Sequence, residues 1–221
     1  WKAPERFKVK AADGMTDLYG VMWKPFDFDS TKVYPIISSV YPGPFYEYVP
    51  TQFRLIHDEN TRLAQLGFIV IAVGHRGGTP MRGKFYHTYS HGRLRDYPLA
   101  DDKYAIEQLA DRHSFIDVTK VGIYGHSGGG FMSTAAICTY PDFYKAAVSS
   151  AGNHDNHIFN HDAYARRERH ILVQNLSVNH NRAAVGNKQA CNCSQKHSFA
   201  RTVVSVKSVD FAVLKIVTYI I

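Results

Sequence analysis

The pentapeptide Gly125-His126-Ser127-Gly128-Gly129 fits the pattern G-x-S-x-G, which sets a serine hydroxyl on a sharp turn between a strand and a helix. The requirement is steric: a serine on such a turn has strained dihedral angles, and residues without side chains two positions before and after it let strand and helix come close. The helix that follows offers backbone N–H groups and the positive end of its dipole to a developing oxyanion. One well-placed donor of that kind contributes about 3–4 kcal/mol. Acyl transfer through the serine is the chemistry this spacing suits. A serine hydroxyl also needs a histidine to take its proton and a carboxylate to orient that histidine, and on this type of turn they follow in the chain order serine, acid, histidine.

The elements around the motif have the periodicity such a turn needs. Arg6–Ala11 and Asp17–Lys24 read as two antiparallel strands joined across Ala12-Asp13-Gly14,. Tyr34–Tyr41 is a β-prone run stopped by Pro42-Gly43-Pro44, and Gly67–Val73 is a second apolar run,. Between them, residues 51–66 place Phe53, Ile56, Leu63 and Leu66 at near-helical spacing,. After a Gly-, Arg- and His-rich connection from Gly74 to about Tyr97, residues 98–112 predict a helix with Pro98 in its first turn,. Val121–Gly125 then predicts a short strand, Phe131–Tyr140 a helix and Ala146–Ser150 a strand,. Strands alternating with helices at this spacing imply an α/β fold with a mostly parallel, doubly wound sheet and its ligand site beyond the C-terminal strand ends.

The 221 residues suit one large α/β domain or two small ones, and 45% apolar content fits a globular chain,. No stretch approaches the roughly 20 apolar residues of a membrane span. The chain begins at Trp1 with no methionine and no charged-then-apolar leader, so it reads as a processed or excised segment. The net charge of +7 is unevenly placed: residues 1–162 hold 17 Lys+Arg against 17 Asp+Glu, and the last 59 residues hold 9 against 2. That last stretch also has one glycine, Gly186, and no proline. Few aromatics interleave its charges, so it lacks the stacking platform of a nucleic-acid binder. Cys138, Cys191 and Cys193 are too few for a disulfide framework, and Cys191-Asn-Cys193 lacks the spacing of a zinc site,. They read as free thiols, and no metal is expected.

Several segments in order resemble the catalytic domain of the prolyl oligopeptidase family of serine peptidases, in its dipeptidyl peptidase IV-like branch. They are Asp13-Gly14, Gly20–Pro25, Val40–Pro44, His75–Pro80, Asp96-Tyr97 with Asp101-Asp102, the serine turn and Ser149–Asn156, spanning roughly residues 5–162. The resemblance implies an α/β-hydrolase domain acting on peptides without metal or cofactor. It also implies a β-propeller in cis that restricts access to short or proline-containing peptides, is compatible with a homodimer, and favours a periplasmic or extracellular setting. Carried over by position, Ser127 is the nucleophile, and the Tyr41 hydroxyl and Gly128 N–H form the oxyanion hole. Where the branch has a tyrosine after the serine, this chain has Gly128. Within residues 152–159, Asn153, His154, Asp155, Asn156 and Phe159 fall in the stretch that shapes the pocket for the penultimate side chain.

Counting on from Ser127 by the family's spacing puts the acid near residues 202–207 and the base beyond Ile221. Asp210, behind the β-prone run Val203–Val209, is the candidate acid, and no histidine follows it. Asp162 with His170, His180 or His197 would keep the order, but nothing around these residues resembles the family's turns. His126 is expected to point away from the serine as a packing or supporting residue, and His75, His87 and His91 to be loop residues near the site. Residues 1–162 are thus expected to form the hydrolase domain. Residues 163–221 are expected to be an atypical basic tail, a C-terminal part truncated or altered as a shifted reading frame would leave it.

Overall fold

A computed structural model describes residues 2–43, 47–52, 58–91 and 98–152 and the backbone of 202–206. Strands β1 (Glu5–Lys10) and β2 (Asp17–Trp23) form the expected antiparallel pair. Asp13 organises the turn between them: its Oδ1 accepts the amides of Met15 and Thr16, each at 2.8 Å. Gly14 there has φ 71°, a left-handed conformation that glycine adopts without a steric penalty,. The remaining strands are β3 (Tyr34–Ser39), β4 (Ile69–Val73), β5 (Ile116–His126), β6 (Tyr144–Ser150) and β7 (Thr202–Val206). They form one sheet in the order β1-β2-β4-β3-β5-β6-β7, antiparallel through the β2–β4 pair and parallel thereafter.

Helix α1 is Asp58–Gln65, α2 is the short Lys84–His87, α3 is Pro98–Arg112 and α4 is Gly128–Thr139. Alternation along the strands sorts the apolar side chains to two faces. Ile69 and Ile71 join Ile36, Ile123 and Met132 in one core that takes in α3 and α4. Val70 and Ala72 join Ile37, Val148 and Leu63 in the other, under α1. Helices on both faces make this the doubly wound sheet that the strand–helix alternation predicts, with the ends of β3 and β5 adjacent at its centre.

Three local differences from the sequence expectation have physical reasons. Strand β5 extends back to Ile116 because Tyr34 and Pro35 pair with Ile116 and Asp117, across an irregularity that the apolar pattern does not reveal. Helix α4 begins at Gly128, not Phe131, because two of its first three residues, the poorly helix-forming Gly129 and Gly130, sit where backbone presses on backbone,. The connection after β4 contains a 3₁₀ turn, Pro80–Arg82, capped by the Thr79 hydroxyl, and then α2. The predicted residues Phe53 and Ile56, with Asp96 and Tyr97, lie outside the described residues.

Candidate active site

Ser127 stands between β5 and α4 with φ 54° and ψ −114°. An L-residue there is strained by about 1–3 kcal/mol and persists only where its surroundings enforce it. The enforcement is visible. The Ser127 amide donates to the Ser150 carbonyl of β6 at 2.8 Å, and its carbonyl accepts the Phe131 amide at 3.0 Å in the first turn of α4. A Cβ at Gly125 would come within 2.3 Å of the Val40 carbonyl oxygen, and one at Gly129 within 2.0 Å of the same atom. A Cβ at Gly130 would meet the Ser150 carbonyl at 2.6 Å. Strand, turn and helix are therefore closed on the end of β3 as tightly as backbones allow. Gly128, buried, contributes the first amide of α4, which has no acceptor within the helix,.

The end of β3 delivers Tyr41 to the same place. The Val40 amide donates to the Tyr124 carbonyl at 2.9 Å, which continues the β3–β5 pairing to the turn. The Tyr41 Cα would lie 3.4 Å from a Cβ at Gly129, and its ring edge 3.6 Å from one at Gly43. The ring centroid of Tyr48 is 5.8 Å away. Ser127 and Tyr41, both half-buried, thus stand on segments that meet at the C-terminal ends of β5 and β3, with the Gly128 amide next in sequence to the serine. His126 Nδ1 lies 3.0 Å from the Ser150 hydroxyl, tying the residue before the serine to β6. Asn153, His154, Asp155, Asn156, Phe159 and Asp210 lie outside the described residues.

A serine on a strained strand-to-helix turn, flanked by a helix amide and a tyrosine from the adjacent strand end, suits acyl transfer. Residues 56–193 match the prolyl oligopeptidase family. The chain belongs to that family. Members similar to it include human dipeptidyl peptidase 8, 32% identical over 149 residues that cover 67% of this chain and 16% of that protein. Mouse prolyl endopeptidase FAP is 32% identical over 143 residues, covering 64% of this chain and 18% of its own. Among solved structures, a candidate dipeptidyl aminopeptidase IV from Bacteroides ovatus superposes with a TM-score of 0.63 at 32% identity, over 69% of this chain and 22% of that one. The chain therefore spans only about a fifth or less of these relatives. The prolyl oligopeptidase family is a family of serine hydrolases, and its catalytic domain is an α/β-hydrolase fold.

Within this hydrolase fold, ionic contacts tie together the loops at the C-terminal strand ends. Arg76 Nε and Nη2 donate to Asp101 Oδ2 and Oδ1 at 2.9 and 2.7 Å, and its Nη1 to Asp13 Oδ2 at 2.7 Å. The guanidinium also stacks on Tyr89, 3.9 Å from the ring centroid. The β1–β2 turn, the connection after β4 and the first turn of α3 thus share one cation. Beside it, Asp102 accepts the Ser38 hydroxyl at 2.6 Å and the Tyr144 hydroxyl at 2.9 Å. Burial raises its carboxyl to about 6, against those two hydrogen bonds. Glu47 pairs with Arg82 and accepts the Tyr86 hydroxyl, joining the connections after β3 and β4.

His75 is also buried, and its Nε2 lies 3.2 Å from the Gly43 amide and 3.3 Å from the Gly43 carbonyl. The sequence places His75 and Arg76 in the connection near the site and gives no sign of their partners, which lie 25 to 63 residues away along the chain. Among the described residues no helix is long and apolar enough to cross a membrane.

Proposed function

We propose that the chain is the catalytic segment of a serine peptidase, hydrolysing peptide bonds through an acyl-enzyme on Ser127. The observation that carries this reading is the strained Ser127 turn, closed by Gly125 and Gly129 against β3. In the proposed reaction Ser127 Oγ bonds to the scissile carbonyl carbon as its proton passes to a base, and the carbonyl oxygen becomes an oxyanion. In this reading the Gly128 amide and the Tyr41 hydroxyl receive that charge, since donors oriented before a reaction need little reorganisation during it. Collapse breaks the C–N bond, the amine leaves with the proton, and water then hydrolyses the serine ester. Residues 152–159, which include Asn153, His154, Asp155, Asn156 and Phe159, form the proposed substrate-binding stretch.

Asp210 is the proposed acid. Its support is topological: β7 pairs in parallel with β6, and Asp210 lies four residues beyond the C-terminal end of β7. An acid at that end of a strand following the serine keeps the order this chemistry uses. We further propose the division into a hydrolase domain over 1–162 and a basic tail over 163–221, a propeller elsewhere in the full-length protein, and homodimerisation.

Fluorophosphonate labelling tests the nucleophile: one adduct per chain on Ser127, absent in Ser127→Ala, is the expected result. Comparison of proline-containing dipeptide anilides with short acyl esters then separates a peptidase from an esterase of the same fold. A second reading is a catalytically incompetent chain. A folded chain that takes up no probe would establish that reading in place of the first.

A further inference from the structure

We propose that His75 is a positioning residue for Tyr41, acting through the backbone of Gly43; this rests on the reading of Tyr41 as an oxyanion donor. Three contacts run in series. The Tyr41 ring edge lies against the α-carbon of Gly43, 3.6 Å from where a Cβ would stand. The backbone of Gly43 faces His75 Nε2 through both its amide and its carbonyl, at 3.2 and 3.3 Å. His75 is followed directly by Arg76, which the paired carboxylates of Asp101 and Asp13 fix to α3 and to the β1–β2 turn.

The tether works in either neutral tautomer. A bare Nε2 accepts the Gly43 amide, and a protonated Nε2 donates to the Gly43 carbonyl,. Burial keeps the imidazole neutral down to about 4, although Gly43 and Asp101 both favour its cation. An apolar side chain could fill the same space, but it would leave the Gly43 groups without this partner in a buried setting. Residues 41–43 have left the β3 ladder, so contacts of this kind, rather than strand pairing, hold them. Since Tyr41 also packs on Gly129, a shift at Gly43 would move the phenol relative to the Gly128 amide. Misplacement of about an ångström in such a constellation costs about 100-fold in rate.

The test is a double-mutant cycle on the intact chain, read as the rate of Ser127 phosphonylation by a fluorophosphonate. His75→Leu is expected to slow labelling about tenfold or more, and His75→Gln, whose amide can both donate and accept, to restore it to within about threefold. In a Tyr41→Phe background His75→Leu is expected to change the rate less than twofold, because the group it positions is gone. Equal losses in both backgrounds, or no loss in either, would overturn the proposal.

Glycine-labelled spectra give a readout independent of turnover: the Gly43 amide resonance is expected to move in His75→Leu and to return towards its place in His75→Gln. A Gly43 amide indifferent to both substitutions overturns the tether even in a chain that never labels. Absence of labelling in the unsubstituted chain instead defeats the functional reading on which the proposal rests. Were His75→Leu to unfold by circular dichroism, His75→Gln against His75→Ala would carry the same comparison.

Discussion

At the scale of single residues, stability and the proposed chemistry pull in opposite directions at Ser127. Its φ of 54° suits glycine better than serine,. Ser127→Gly is therefore expected to raise unfolding free energy by about 1 kcal/mol while abolishing labelling, checked by urea denaturation beside a probe assay. A Ser127→Gly protein less stable than the parent would mean that the turn is not strained. The neighbouring glycines behave in the opposite way. Gly129→Ala drives a methyl group to within 2.0 Å of the Val40 carbonyl oxygen, a backbone atom that cannot swing aside. The expected cost is about 3 kcal/mol or more, read as a lowered denaturation midpoint together with lost labelling.

Among the elements, α3 holds the two buried carboxylates that matter most. Arg76→Met leaves Asp101, whose side chain is 1% exposed, without its bidentate partner. A loss of about 3–5 kcal/mol is expected, and Asp101→Asn in the same chain should recover part of it, because the uncompensated charge is then gone. Asp102 gives a pH signature. Its folded value, raised from an ordinary 3.8 to about 6 by burial, means that the folded chain keeps a proton that the unfolded chain has released between those values.

The contribution of Asp102 to stability therefore falls as pH rises from about 4 to 6 and then levels off, by about 3 kcal/mol in all. Asp102→Asn should remove this dependence, so its stability advantage over the parent should open across that window and hold above it. Denaturation midpoints of the two proteins from pH 4 to 7.5 would show the divergence, and parallel curves would refute it. None of these partnerships was legible in the sequence. The helix over 98–112 followed from its apolar spacing and Pro98, whereas Asp101 and Asp102 gain their roles from Arg76, Ser38 and Tyr144, which chain order keeps far apart. Local signals read well here because hydrophobic period and turn residues are local properties. The start of α4 did not, because its glycines respond to Val40 and Ser150, which lie elsewhere in the chain.

At the scale of the whole molecule, the sheet joins segments of different character. The neutral first 162 residues supply β1 to β6, and the basic remainder supplies β7 through parallel pairing from Ala146–Thr202 to Ser150–Val206. Amides of Thr202–Val206 are accordingly expected to exchange with solvent as slowly as those of β6, and rapid exchange at β7 alone would remove the topological support for Asp210. The serine turn was legible because its spacing is itself the steric requirement. The tail was legible only in its β-prone run Val203–Val209, which overlaps β7, since it lacks the glycines and prolines that mark where elements end.

The packing of Gly125, Gly129 and Gly130 against backbone atoms has one further consequence, for descent. Every single-base change that replaces one of these glycines adds bulk where there is no room, so inherited variation at this bend is confined to the flanking positions 126 and 128. Lineages diverging from this chain should alter the residues on either side of the serine long before they alter its three glycines.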